Sequence, residues 1–306
     1  MVANNKKYLL PMAPWPTLES YRQEISLPVN DLNLFYYKAG NIDLPTMIMI
    51  HGLGDDADTW RHVFYPLSKL FHVIAIDLPG FGRSEKPKIT YSPSFYIESI
   101  LKFMDTLSIK SAILMGSSLG GIIAHEMAIE HVNRVTGLIL VGGALYQQKR
   151  MGDLGLLLMQ IPYLGEWLYT KLRKNPKAAY ESLRSVYYEL GKMPMEDREF
   201  LFERVNKRVW SDDQRRAYFS TLRATAKWVK KQQKNIIINL QRIQIPTLIL
   251  RGDYDHLFSK NNAVDLISIQ PEVDYFKIED AGHLPHQENP DLFLAKLIPW
   301  LETHFS

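Results

Sequence analysis

Two adjacent serines stand between glycines in MGSSLGG, residues 115–121, where the apolar run AILM (112–115) gives way to the helix-forming GIIAHEMAIEH. A strand that turns abruptly into a helix crowds the backbone around the apex residue. Small residues two before and two after the apex relieve that crowding. Gly116 and Gly120 occupy those places only if the apex is Ser118; with Ser117 at the apex, Met115 and Leu119 would fill them. The frame G-x-S-x-G therefore selects Ser118 as the candidate nucleophile. A serine hydroxyl is a weak nucleophile alone, so the chain must also supply a base, an acid to orient it and donors for a developing oxyanion.

Candidates for those partners lie near the C-terminus. Two of the nine histidines, His283 and His286, sit in AGHLPHQENP, just after the strand-like VDYFKIED. Gly282 leaves the approach to His283 open, and Pro285 separates the competitor His286. Two carboxylates, Asp253 and Asp255, follow the apolar run TLIL in RGDYDH. Either could hold the Nδ1–H of an imidazole and stabilise the imidazolium formed when serine loses its proton.

Positioning these groups falls to five short, near-continuous apolar runs: TMIMI (46–50), HVIAI (72–76), AILM (112–115), LILV (138–141) and TLILR (247–251). Continuous apolar character suggests strands buried on both faces, as in a parallel sheet covered by helices. Helix-length segments lie between them, TWRHVFYPLSKL (59–70), PSFYIESILKFMDTL (93–107) and the helix opened by Ser118, which predicts an α/β architecture. EISLPVN and LNLFYYKAG precede this rhythm as an antiparallel pair, because their polar join is too short for a crossover.

The rhythm stops after Gly143 and resumes at Ile245. The intervening residues show amphipathic stretches such as PKAAYESLRSVYYELGK and MEDREFLFERVNKRVW, so 144–244 is read as a helical cap, or lid, inserted into a core of 25–143 and 245–306. An insertion at a strand's C-terminal end sits where open α/β sheets bind ligands. Residues 1–24 are expected to form an extended arm on the body, since Pro11, Pro14 and Pro16 interrupt any signal-like apolar stretch.

Composition narrows the function. The chain has 306 residues and no cysteine, which excludes disulfides, thiolate catalysis and zinc–thiolate sites. It also fits a cytoplasmic location. No segment has the roughly 20 apolar residues of a membrane span, and a net charge of +3 gives no footing for nucleic acid. Charge is uneven: Lys171 to Lys234 carries 17 basic and 8 acidic residues, a balance of +9 against −6 elsewhere. That charge reads either as the solvated faces of amphipathic cap helices or as a cap that draws anionic substrates, or an anionic membrane surface, toward the site. His125 and His131 lie six apart rather than at the i, i+4 spacing of zinc pairs, GFGRSE lacks the third glycine of a dinucleotide loop, and no G-K-[ST] follows GSSLGG. Neither cofactor nor metal is expected, and no signal fixes an oligomeric state.

IHGLGDDADTW, IDLPGFGRSEKP, MGSSLGG, LRGDYDHLFS and IEDAGHLPHQENP occur in the order of the corresponding motifs of the α/β-hydrolase superfamily. The chain resembles its capped, esterase-like serine hydrolases from about residue 25 to the end, the cap excepted. That resemblance implies the base is His283 and, through the pattern G-x-x-D, the acid is Asp255. Some relatives carry the acid after the sixth strand, but VGGALYQQ has no carboxylate here. The resemblance also implies an oxyanion hole from the backbone N–H groups of Leu119, at a helix N-terminus, and of Leu53 in His51-Gly52-Leu53, with His51 bracing the loop. The function it implies is hydrolysis of carboxylic esters through an acyl-enzyme on Ser118. Large cap side chains (Tyr163, Trp167, Tyr169, Tyr187, Tyr188, Trp210, Tyr218, Phe219, Trp228) mostly pack the cap helices, and those left facing the site would enclose an apolar pocket suited to short-to-medium acyl chains. The same machinery also serves C–C bond hydrolysis of ring-cleavage products, amide hydrolysis and perhydrolysis. A ligand-binding protein that keeps the fold without turnover is the reading from a different class. Aspartate-nucleophile chemistry, as in dehalogenases and epoxide hydrolases of this fold, is disfavoured by serine at 118.

Overall fold

Every apolar run becomes a strand of one sheet. The structure, a computed structural model, describes residues 5–28, 32–143, 158–258, 260–270 and 272–305. Eight strands, β1 (Arg22–Leu27), β2 (Leu32–Ala39), β3 (Thr46–Ile50), β4 (His72–Ile76), β5 (Ala112–Ser117), β6 (Val135–Val141), β7 (Thr247–Gly252) and β8 (Val273–Ile278), lie in the order β1-β2-β4-β3-β5-β6-β7-β8. β2 pairs antiparallel with β1 and β4; all other neighbours are parallel. Successive side chains of a strand point to opposite faces. Ile48, Ile50, Ile74, Ile76, Leu114 and Leu138 accordingly join one core, and Met47, Met49, Val73, Ala75, Ile113 and Ile139 join the other. Both faces are buried, so the runs need no polar alternation.

Helices α1 (Phe64–Leu67), α2 (Pro93–Thr106) and α3 (Leu119–Glu130) connect the first strands. α2 begins as its sequence suggests, with Pro93 at the first position and the Ser92 hydroxyl accepting the Phe95 N–H at 3.2 Å. α3 is buried from Leu119 to Ala128, which accounts for its nearly uniform apolar sequence. The expected helix over 59–70 is not continuous. A 3-10 turn at Ala57–Trp60 and the four-residue α1 replace it. Pro66 has no N–H to donate and its ring collides with the preceding turn, so it is accommodated only near a helix start.

The N-terminal segment also departs from an extended arm. Residues Asn5–Leu9 and Pro16–Tyr21 form 3-10 turns, and β1 already starts at Arg22. Trp15 and Leu18 are buried, and the Trp15 N–H donates to Asp58 at 2.7 Å.

Between β6 and β7 the described residues hold α4 (Leu164–Lys171), α5 (Pro176–Glu181), α6 (Met195–Trp210), α7 (Asp212–Gln232) and α8 (Ile236–Leu240). Residues 144–157 of the expected cap lie outside the described residues. MEDREFLFERVNKRVW forms α6 over its whole length. PKAAYESLRSVYYELGK does not stay helical: α5 ends at Glu181, a 3-10 turn spans Ser182–Ser185, and irregular chain follows. The Ser182 and Ser185 hydroxyls bond back to the carbonyls of Ala179 and Ser182, a local alternative to the helical ladder. Three further helices, α9 (Lys260–Ile269), α10 (Pro285–Glu288) and α11 (Pro290–Phe305), complete the chain. Among the described residues no helix is long and apolar enough to cross a membrane.

Many basic side chains of the insert are ion-paired, within it or to the core. Arg173 and Arg215 meet Asp212, Arg216 meets Asp213 and Arg223 meets Glu166. α6 sends Arg204 to Asp58 at 2.5 Å and Asp56 at 3.4 Å, while Arg208 contacts Asp55 and Asp56. Arg83 closes the cluster from the other side, 2.6 Å from Asp58 and 2.8 Å from Asp77. Burial alone would raise the Asp56 carboxyl, but Arg204, Arg208 and Arg83 outweigh it and hold the group well below the ordinary carboxylate range. Removing one member of such a cluster leaves a buried charge without compensation. Arg204→Ala is therefore expected to cost about 3–5 kcal/mol in urea unfolding of the full chain. A loss near zero would show that Arg83 and Arg208 hold both carboxylates unaided.

Candidate active site

All the candidate residues leave the sheet at one end. Ser118 follows β5, Leu53 lies beyond β3, Asp255 follows β7 and His283 follows β8, each at the C-terminal end of a parallel strand. The register Ile50↔Gly116 sets the loop after β3 beside the serines.

Ser118 occupies the left-handed region, with φ 53° and ψ −111°, a conformation a non-glycine residue rarely adopts. The neighbouring glycines show why the turn can be this tight. A Cβ on Gly116 would lie 2.3 Å from the Gly120 carbonyl, and one on Gly120 would lie 2.1 Å from the Ile50 oxygen. Ser118 is half-buried, whereas Ser117 is fully buried in β5, its hydroxyl meeting no partner among the described residues.

Asp255 and His283 are joined. His283 Nδ1 lies 3.0 Å from Asp255 Oδ2, and Asp255 Oδ1 accepts the N–H groups of Leu257 and Phe258 at 2.8 and 2.9 Å. Both Asp255 oxygens are thus assigned, and the carboxylate holds one orientation. His283 Nε2 is buried and meets no hydrogen-bond partner among the described residues. Consecutive glycines after β6 lie against both candidate residues: a Cβ on Gly143 would lie 2.6 Å from Ser118 Cα, and one on Gly142 would lie 2.9 Å from His283 Nδ1. The structure gives no direct hydrogen bond between Ser118 and His283. Catalytic contacts are often long before substrate binds.

The competitors are placed elsewhere. His286 is fully buried, its Nε2 lies 3.0 Å from Thr59 Oγ1, and its ring packs on Trp60 at 4.4 Å. Burial, with help from Arg61 and His283, holds it neutral, well below the usual imidazole range. Asp253 faces Lys277 at 3.9 Å. His51 accepts the Leu78 N–H on Nε2 at 2.9 Å, so its proton sits on Nδ1, 2.7 Å from the Gly52 oxygen. Carbonyl and N–H point opposite ways across a trans peptide, so this bond sets the direction of the Leu53 N–H. Neither that N–H nor the Leu119 N–H meets a protein acceptor among the described residues.

Residues 45–290 match the α/β hydrolase fold family. The chain belongs to that family. Among curated relatives, a proline iminopeptidase of Pestalotiopsis fici is 24% identical over 90% of this chain and 98% of its own length. The 2-hydroxy-6-oxo-6-(2'-aminophenyl)hexa-2,4-dienoic acid hydrolase of Metapseudomonas resinovorans is 24% identical over 83% of each. A solved bacterial membrane phospholipase A superposes with a TM-score of 0.71 at 25% identity, covering 93% of this chain and 87% of its own.

The insert of this α/β hydrolase meets the site on two sides. A Cβ on Gly54 would lie 3.0 Å from the Tyr218 ring, which stacks on Tyr169 at 5.6 Å. Tyr187 and Tyr188 approach the histidine loop, the former bonding Gln287 at 2.8 Å. The other insert aromatics diverge: Phe219 is buried against Tyr169, while Tyr163 and Trp167 face outward, 89% and 54% exposed. A cleft of ≈ 570 Å³ beside Ile89, lined by Phe219, Glu166, Asp212 and three arginines, includes none of Ser118, Asp255 and His283. Sequence reasoning passed over two features. One is the glycine pair Gly142-Gly143, whose signal was the GG after β6. The other is Glu288, which no local pattern distinguishes from a surface carboxylate. Among the described residues no His, Asp and Glu are grouped so as to hold a metal ion.

Proposed function

We propose that this α/β hydrolase is a serine esterase acting on short-to-medium acyl esters. The observation that carries the reading is the strained Ser118 turn beside a buried His283 whose Nδ1 is held by Asp255. In this mechanism His283 Nε2 takes the hydroxyl proton as Ser118 Oγ attacks the acyl carbonyl. Asp255 keeps the proton on Nδ1 and stabilises the imidazolium. The N–H groups of Leu53 and Leu119 receive the oxyanion, fixed donors that need no reorganisation. The imidazolium then protonates the leaving alcohol. Water, deprotonated by His283, releases the acid from the acyl-enzyme, and no cofactor or metal takes part. Residues 144–244 serve as the cap, with Tyr218 and Tyr169 giving the oxyanion side an apolar wall suited to a small dissolved substrate.

A fluorophosphonate probe should label Ser118, and p-nitrophenyl butyrate should be hydrolysed faster than emulsified long-chain triglyceride. Folded protein that neither labels nor turns over would support the ligand-binding reading, and faster hydrolysis of the emulsion would overturn the substrate class. The relative from Metapseudomonas resinovorans favours one second reading, C–C hydrolysis on the same three residues. Cleavage of a 2-hydroxy-6-oxo-dienoate at a higher kcat/KM than any ester would establish it.

A further inference from the structure

Three backbone donors are satisfied where the histidine loop meets the insert, two of them across the junction. The His283 N–H donates to the Val186 carbonyl at 2.8 Å. Glu288, at the end of α10, accepts the Gly282 N–H on Oε1 at 2.8 Å and the Tyr188 N–H on Oε2 at 2.6 Å. One carboxylate thus ties the residue before the histidine to Tyr188 of the insert. Contact is close: a Cβ on Gly282 would lie 2.7 Å from the Tyr188 nitrogen and 2.9 Å from the Val186 oxygen. The Tyr188 ring stacks on Tyr254, the neighbour of Asp255, at 3.7 Å and 8°. Residues 186–188 therefore touch the backbone at the candidate base and, through the Tyr188 ring, the side chain next to the candidate acid.

We propose that Glu288 is a positioning residue: its carboxylate latches residues 186–188 of the insert to the histidine loop, and His283 keeps its place over Ser118 only while that latch is closed. The inference rests on the serine-hydrolase reading. A closed latch gives the Tyr188 N–H its carboxylate acceptor and the His283 N–H the Val186 carbonyl; displacing the insert removes both acceptors while Gly282 keeps Glu288, so intermediate positions are disfavoured. The site is then competent when the insert is seated and incompetent when it is displaced.

The latch also has a pH sense. Burial pushes the Glu288 carboxyl up to about 7, against the backbone N–H groups of Tyr188, Gly282, Leu284 and Glu189. Among the described residues no lysine or arginine pairs with it. Tyr187 and Tyr188 face it from the insert and His283 shares its loop. Asp280 lies nearby beside Tyr188, and the Glu189 carboxylate is turned to Lys192 at 2.5 Å. A carboxyl with a raised value accepts with both oxygens above that value. As pH falls through it, one oxygen gains a proton and stops accepting, and the latch opens on the acid side.

The test is Glu288→Gln in the full-length protein, read by fluorophosphonate labelling rate and by p-nitrophenyl butyrate kinetics on both sides of pH 7. Gln keeps the shape but offers one acceptor. A misplaced histidine should lower kcat and labelling about ten- to a hundredfold, with KM little changed. The acid limb of wild-type kcat/KM should carry two protonations and that of the variant one. Labelling at the wild-type rate with an unchanged acid limb overturns the latch. If the variant does not fold, the wild-type limb decides, two protonations supporting the proposal and one overturning it. Wild-type protein that does not label at Ser118 overturns instead the serine-hydrolase reading.

Discussion

Replacing Ser118 with alanine should remove turnover by about a million-fold, the scale of losing a triad nucleophile, while Ser117→Ala leaves it within a few-fold. The two hydroxyls are adjacent in sequence and differ in everything that governs reactivity. Ser118 sits at φ 53° on the apex of the turn and is half-buried. Ser117 is fully buried at the end of β5, its hydroxyl meeting no partner among the described residues. Deleting an unpartnered buried hydroxyl removes a desolvated polar group and strands nothing, so Ser117→Ala should also be neutral to folding or slightly stabilising. Initial rates on p-nitrophenyl butyrate and a urea melt of each variant give both halves of the comparison. A reversal of the two rates would move the turn's frame by one residue.

Asp255→Asn should lower kcat by about ten-thousandfold, as when a triad acid becomes its amide. Geometry specifies how. Asp255 Oδ1 is already fixed by the N–H groups of Leu257 and Phe258. An asparagine must keep its carbonyl oxygen there and turn its NH2 toward His283 Nδ1. That nitrogen then has to accept, the ring proton moves to Nε2, and the base has no lone pair to offer Ser118. Asp253→Asn should change kcat only a few-fold, because that carboxylate faces a half-exposed lysine at 3.9 Å, a contact of little energetic weight. Equal losses in the two variants would reopen the choice of acid.

The sheet could be read directly because its strands are buried on both faces, so each appears as an uninterrupted run whose alternate residues feed separate cores. The serine frame was legible for a similar reason: the spacing of Gly116 and Gly120 is a local steric requirement, met within five residues. Pro66 carried the signal that 59–70 cannot be one helix, and apolar periodicity masked it. What escaped the sequence depends on partners far along the chain. Glu288 reads as an ordinary polar residue until Tyr188 is beside it, and Arg204 reads as part of a solvated basic face until the aspartates after β3 are placed against it. Among the insert aromatics, the amphipathic pattern gave no basis for telling Tyr218, turned to Gly54 in the loop after β3, from the outward-facing Tyr163.

The position of the insert between β6 and β7 has a consequence for synthesis. A nascent chain that has emerged as far as α8 carries Ser118 and the loop after β3, but neither Asp255 nor His283. The sheet at that stage ends at β6, whose free edge must wait for β7 and then β8 to dock in parallel, the long-range pairing that makes folding slow. In the proposed mechanism the nucleophile is therefore made early and armed late. The ribosome-bound enzyme stays chemically silent until β8 is paired, and the same event that finishes the sheet switches the serine on.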